Sequence, residues 1–303
     1  MIHYKAFQWL FFFYVYCFLG WCFESAYVSV KSRKLVNRGF MRGPFLPLYG
    51  SGAIMMLVVS MPFRDNVWLT YIAGVIGATA LEYVTGVTME ALFKVRYWDY
   101  SNKHFNFQGH ICLSSSLAWG FFTILMTRVI HRPIEQFGLS IPGSVLFYMT
   151  ALLTVYIVID FTLSFKAALD LRDILIKMQR IREEMERMQR RLDVIVAFNN
   201  EEKEQKKQER ELTLSELSFN LKQKFAGLKE SIQKKPSAYG EGIREEIAEL
   251  RGRFSHYPDP QNNYTDMLDF YKRDMIRNNP TMASKKFKGA LEELKNIAGN
   301  RKR

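Results

Sequence analysis

The amino-acid sequence predicts an all-α membrane protein: a polytopic helical bundle of five transmembrane helices with a cytoplasmic coiled-coil and helical tail. Three observations carry that reading. Five long apolar stretches lie between Phe7 and Phe165, and a helix needs roughly 20 apolar residues to cross the hydrocarbon of a bilayer. Lys and Arg crowd alternate loops between those stretches. From Leu171 onward the apolar residues repeat on a heptad.

The expected spans are residues 7–30, 45–61, 67–92, 109–130 and 143–165. The second is the weakest, because Pro44 and Pro47 open it and Gly50 and Gly52 follow, a pattern that also suits a re-entrant or broken helix. Lys31, Arg33, Lys34, Arg38 and Arg42 fill the first loop, and Lys94, Arg96 and Lys103 the third. Arg64 and Asp65 cancel in the second, and Arg128 and Arg132 face Glu135 in the fourth. Basic loops stay in the cytoplasm, so the N-terminus is expected outside and the tail inside. Trp9, Trp68, Tyr71, Tyr97 and Trp98 fall near the expected water–lipid borders, where such rings settle. The first apolar run is too long for a cleavable signal, carries only Lys5 before it and lacks a small-residue cleavage site.

The net charge of +12 divides into +5 up to Phe165 and +7 beyond it, over two unlike regions. Topology explains the basic loops, and the tail mixes both signs closely, so nucleic acid is not an expected partner. Membrane lipids are. Cys17, Cys22 and Cys112 lack CxxC spacing and read as buried, inert thiols, without disulfide or zinc.

Glu24, Glu82, Glu90 and Asp160 are acids within apolar spans. Such residues face a bundle interior or water and mark a functional site by default. Gly74, Ala78, Glu82, Gly86 and Glu90 recur every four residues and share one helix face. Small residues there admit a close neighbour, which makes the third span the expected central helix. Its acids either pair with Arg to hold helices together or line a polar cavity. No histidine is spaced to complete a metal centre with them, and neither a metal nor a cofactor is expected. The loop 37–52 is rich in Gly and Pro. The next basic loop runs Arg96-Tyr97-Trp98-Asp99-Tyr100-Ser101 to Asn106 and Gly109, with Asp99 able to cap local backbone or to pair with Arg38 or Arg42. The two loops suggest a folded vestibule; simple interfacial anchoring is the other reading.

Gly20-Trp21 with Glu24, the 37–52 loop, the Glu82/Glu90 pair and the Trp98-to-Ser101 loop with Asn106 and Gly109 together resemble the ABC-transporter type IV, or CmpB-like permease, family of small bacterial membrane proteins. The resemblance covers about 7–165 and leaves out the tail. It implies a multi-pass protein of the bacterial inner membrane with a transport role. The matching positions are Glu24, Asn37, Arg38, Gly39, Gly43, Pro44, Pro47, Tyr49, Gly50, Glu82, Glu90, Trp98, Asp99, Tyr100, Asn106 and Gly109, with no assigned role for any of them. The sequence has no GxxxxGK[ST] phosphate loop, so an ABC mechanism requires a separate ATPase.

In the tail, Leu171, Met178, Met185 and Leu192 hold one heptad position and Ile174, Ile181, Met188 and Ile195 the other, a coiled-coil pattern. A homodimer through this rod is expected, with an intramolecular hairpin as the rival. Further helices are expected over 214–232, 243–250, 267–275 and 283–297. The charged stretch 199–211, the break at 236–242 and the loop 255–265 separate them, and 300–303 is expected to be loose. The domains are therefore 1–165, the membrane bundle; 166–235, the coiled-coil region; and 236–303, a region of short helices. The expected function is a permease-like transport subunit with Glu82 and Glu90 on its polar path. The alternative is a scaffold or signalling protein whose tail recruits a partner. No nucleophile–base pair stands out for catalysis, although Asp99, His104 and His110 could surround a lipid-linked substrate.

Overall fold

The computed structural model describes residues 4–199, 213–234, 239–257 and 267–300. Its elements in chain order are α1 (Ala6–Ser32), α2 (Pro47–Ser60) with a 3-10 turn (Met61–Phe63), α3 (Val67–Phe93), β1 (Asn106–Phe107), β2 (Ile111–Cys112), α4 (Leu113–Leu125), a π-helical turn (Met126–Ile130), α5 (His131–Ser140), α6 (Gly143–Asn199), α7 (Leu214–Lys234), α8 (Glu241–Ser255), α9 (Phe270–Asn278) and α10 (Lys288–Asn300). Two compact units emerge, Met1–Asp170 with Phe270–Ser284 and Leu171–Asp269 with Lys285–Arg303. The first unit takes in residues 1–165 of the expected bundle together with 166–170 and 270–284. The expected features at 200–211, 236–238, 258–265 and 301–303 lie outside the described residues.

Among the described residues, four helices are long and apolar enough to cross a membrane: Ala6–Ser32, Val67–Phe93, Leu113–Ser140 and Gly143–Val196. The chain is a polytopic membrane protein. Its apolar side chains turn outward along these helices, as Ile76, Val84, Phe121 and Leu152 do. That is the surface lipid requires and water forbids.

The second expected span is the shorter apolar helix Pro47–Phe63, on the order of 25 Å long at 1.5 Å per residue. Pro47 sits at its first turn, where the missing N–H is no loss. Instead of beginning level with the end of α1, the chain first runs back along that helix. Val36 and Arg38 donate their amides to Ser29 Oγ (2.9 Å) and Ser25 Oγ (3.1 Å), and Leu46 donates to the Cys17 carbonyl (3.0 Å). The α1 serines satisfy backbone groups that the lipid side would leave bare.

Helix α3 starts at Asn66, whose side chain accepts from the amides of Trp68 and Leu69, a standard cap. It packs on α2 and α4 and buries Gly74, Ala78, Glu82 and Gly86 of the expected stripe, while Glu90, the stripe's last residue, is half-buried. The fourth span starts at Leu113 rather than 109, because 106–112 forms a hairpin pairing Asn106 with Cys112 and Phe107 with Ile111. It also continues to Ser140, so the expected fourth loop, with Arg128, Arg132 and Glu135, is helical. Pro133 removes one amide from that ladder. The π-helical turn before it, closed by the His131 amide on the Met126 carbonyl, widens the turn and spares the clash with the proline ring.

The core near the N-terminal end of α1 joins Phe11, Phe12 and Tyr16 to Ala53, Leu57 and Leu146. A second core joins Tyr14 and Cys17 to Met41, Phe45 and Ile157. Cys17 and Cys112 are buried as expected, but Cys22 is exposed. Tyr97 is 7% exposed and Trp98 donates to the His110 carbonyl (2.9 Å), so neither is a free interfacial anchor.

In the second unit the α6 seam is filled from the same chain. Met178 and Leu192 have no exposed surface, and the six other heptad residues are also buried. Arg191 pairs with Glu246 of α8 (2.6 Å), Lys224 of α7 with Asp193, and Gly289 of α10 lies against the Arg182 guanidinium. The heptad thus marks a buried stripe that neighbours in cis cover. Met178→Ala should cost the tail about 2–5 kcal/mol through the cavity it leaves. Circular dichroism melts should show that loss with a midpoint independent of protein concentration, whereas a dimer seam would make the midpoint concentration-dependent.

Candidate functional site

Loops 33–46 and 94–112 and residue 160 of α6 gather at one end of the bundle, hereafter the basic end. Arg38 Nη2 donates to the Tyr97 carbonyl (3.3 Å), and the Gly43 amide donates to Asp160 (2.8 Å). A side chain at Gly43 would run into Tyr156 and Asp160, so the missing Cβ is what lets this loop reach α6.

The four span acids meet different partners. Glu24 accepts the Tyr49 hydroxyl (2.7 Å) and faces Arg38 Nε at 3.6 Å. Gly20 faces Tyr49 closely enough that any side chain there would displace the ring. Burial pulls the Arg38 guanidinium down from its ordinary value, and Glu24 works against that shift. Glu90 holds Arg96 (2.8 Å) and His110 (3.1 Å). Asp160 anchors the Gly43 amide, away from the other three acids' partners.

Glu82 differs from all three. It is 7% exposed, and its carboxylate accepts from Tyr100 (3.1 Å) and Trp119 Nε1 (3.0 Å). Ser115 Oγ lies 3.3 Å away and shares its one proton with the Cys112 carbonyl at 2.9 Å. Every donor is neutral. Among the described residues Glu82 has no cationic partner, where Glu24 has Arg38 and Glu90 has Arg96 and His110. Burial pushes the Tyr100 phenol above the ordinary value, and the charge of Glu82, which accepts its hydroxyl, adds to that.

The loop 94–112 is built to hold these contacts. Gln108 and Gly109 both have positive φ, at 54° and 78°, at the centre of a turn closed by the His110 amide on the Phe107 carbonyl (3.1 Å), a backbone that favours Gly. A Cβ on Gly109 would also lie 2.6 Å from Arg96 and 2.7 Å from Asp99. Asn106 accepts the Gly109 amide and donates to the Ser101 and Lys103 carbonyls. Asp99 caps the Ser101 amide (2.9 Å) and pairs with Arg96 (3.3 Å), not with Arg38 or Arg42. Burial works to raise its carboxyl, but the Ser101 hydroxyl and amide and the Arg96 guanidinium outweigh it and hold it below the usual range. Trp98 and His110 rest on Gly86 of α3.

In the first loop, Asn37 accepts from Trp21 Nε1 (2.6 Å) and donates to the Arg42 carbonyl (2.7 Å). Gly39 accepts from Asn279 (3.0 Å). Pro44 and Pro47 shape the entry to α2, and Gly50 packs against Phe13 and Cys17 of α1. The expected residues thus converge at one end, Asp160 through its bond to the Gly43 amide.

Sequence reasoning missed Ser115 and Trp119, the α4 partners of Glu82. It also missed Asn279 and Thr281, which donate to or accept from the loops and Arg38. None of these carries a motif or a periodicity that marks it. His131 was missed as well. It is buried near the N-terminal end of α1, between the Tyr4 (3.1 Å) and Tyr16 (2.6 Å) hydroxyls, with Glu135 bonded to Tyr4. A groove of about 500 Å³ lies elsewhere, lined by Phe7, Leu10, Phe147, Val155 and Ile159, and no acid borders it. Among the described residues no cluster of His, Cys, Asp and Glu could hold a metal ion.

Residues 11–165 match a family model described as "Putative ABC-transporter type IV". No curated protein and no solved structure matches the chain.

Proposed function

The chain belongs to the ABC-transporter type IV family, and on that premise we propose that it is the permease-like membrane subunit of a transport system in which Glu82 takes up and releases a proton. The observation that supports this is the setting of that carboxylate: buried, held by neutral donors and, among the described residues, without the counter-charge that Glu24 and Glu90 possess. A carboxylate stripped of water and lacking a cation is costly, and a proton removes the cost. In this reading Glu90 is a structural acid, tied by Arg96 to the loop 94–112.

The basic loops set the proposed orientation, with the basic end and the tail in the cytoplasm and the N-terminus outside. Energy from ATP would need a separate ATPase, since this sequence carries no phosphate-binding loop.

Vesicles containing the purified protein and a trapped pH-sensitive dye test the reading. Under an imposed pH gradient, the wild-type protein should dissipate the gradient, and Glu82→Gln should fall to the rate of empty vesicles. Glutamine keeps an acceptor for Trp119 or Tyr100, so folding should survive at a cost of about 1–2 kcal/mol. The second reading is that Glu82 ties α3 to α4 and the hairpin loop, since all its bonds run to those segments. It predicts the opposite pair of results: lowered thermal stability and unchanged dissipation.

A further inference from the structure

Residues 270–284 lie outside the family match, yet pack with the membrane unit. On both sides in the sequence, the neighbouring chain belongs to the second unit. The segment grips the two basic loops in three ways. At its start, Arg42 lies over the rings of Phe270 (4.6 Å) and Tyr271 (4.3 Å) and within 3.7 Å of Asp274. In its middle, Asn279 accepts from Arg38 Nη1 (2.9 Å) and donates to the Gly39 carbonyl, while Thr281 Oγ1 accepts from Arg38 Nη2 (2.9 Å). At its end, Ala283 and Arg96 exchange both backbone hydrogen bonds (2.7 and 2.9 Å), and Ser284 donates to the Lys94 carbonyl.

This is how a sheet edge or loop receives a peptide: backbone pairing supplies affinity, and side chains reading fixed positions supply selectivity. The grip is mostly polar, with Met275, Ile276 and Met282 as its buried apolar anchors. Water can replace polar bonds of this kind at a net cost near 1 kcal/mol each, unlike the close helix seams of the bundle.

We propose that residues 270–284 form a releasable strap on a peptide-docking surface made by loops 33–46 and 94–100. When docked, the strap ties the loops together through Arg38 and Arg96. When released, it uncovers the Arg38 guanidinium and frees the backbone edge at Arg96. The proposal goes beyond the proton reading of Glu82 and stands or falls apart from it.

A labelled synthetic peptide of residues 268–286 tests it on the full-length protein. In wild type the chain's own strap fills the surface. In Asn279→Ala/Thr281→Ala the cis strap is weakened, so the wild-type peptide should bind about tenfold tighter, a difference of about 1.4 kcal/mol. A peptide carrying the same two changes should bind neither protein. Equal binding to both proteins, or to neither, overturns the proposal. Hydrogen exchange on the unmodified protein gives a second measurement should the variant misfold. The paired Arg96 and Ala283 amides should open together and faster than the α3 amides around Glu82. Exchange as slow as α3's would make the segment a permanent part of the fold and sink the strap.

Discussion

Arg38→Ala is expected to lower the stability of the membrane unit by about 3–5 kcal/mol, the cost of removing one partner from a buried ion pair. Arg38 is 9% exposed. Its guanidinium meets Glu24, the Tyr97 carbonyl, the Asn278 carbonyl, Asn279 and Thr281, so alanine strands acceptors from three segments at once. Lysine does not rescue this. A single ammonium has no planar fork with which to reach Glu24 on one side and two polar side chains on the other. Arg42→Ala is the matched comparison. Its side chain is 36% exposed, and its main contacts are the Phe270 and Tyr271 rings and Asp274 at 3.7 Å, each worth about 0.5–1 kcal/mol in such a setting. Thermal unfolding in detergent should therefore show a large downward shift for Arg38→Ala and Arg38→Lys and a small one for Arg42→Ala. Equal shifts for Arg38→Ala and Arg42→Ala would mean that Arg38 does not hold the loops together.

The contrast between Arg38 and the heptad shows what kind of information the sequence carries. Periodicity names a face. The seam from Leu171 to Ile195 is buried throughout, as its heptad implied, and so are Gly74, Ala78, Glu82 and Gly86 on α3. What covers a face is not periodic. The heptad could not distinguish a second chain from α7, α8 and α10, because an apolar stripe is satisfied by either. Likewise, the stripe on α3 gave no hint that Trp119 and Tyr100 would meet Glu82. Short elements hid for a related reason. The hairpin at 106–112 has two residues per strand, too few for alternation to register. The helical run through Pro133 was invisible because a proline ordinarily ends a helix, and only the π-helical turn before it accommodates the ring. The strap left no mark in the pattern, since its work is done by Asn279, Thr281 and backbone groups. Charge bias, by contrast, was informative at long range: both loops rich in Lys and Arg gather at one end, as the segregation of basic loops requires.

The small residues on α3 lead to the second large effect. Gly86→Leu adds an apolar side chain to a helix and replaces its least favourable residue apart from proline, so helix propensity alone predicts a gain of about 0.8 kcal/mol. Packing predicts the reverse. A Cβ at Gly86 would stand 3.0 Å from His110 Nδ1 and 3.2 Å from Trp98, and the rest of a leucine has nowhere to go unless the loop lifts away. Lifting it pulls His110 and Arg96 from Glu90 and Tyr100 from Glu82, adding broken charge contacts to an overpacking cost of about 1–3 kcal/mol. Loss should dominate by several kcal/mol. Val84→Leu, on the same helix but 59% exposed toward the lipid side, should change almost nothing. Gly86→Ala separates the two terms, because its one methyl asks the neighbours to yield by only a few tenths of an ångström. Tryptophan fluorescence and thermal unfolding should rank the variants Val84→Leu, Gly86→Ala, Gly86→Leu in order of rising damage, with altered Trp98 emission only where Gly86 is changed. If Gly86→Leu proved as stable as the wild type, the loop would not be seated on α3, and the donors that Tyr100 and its neighbours offer to Glu82 would lose their support.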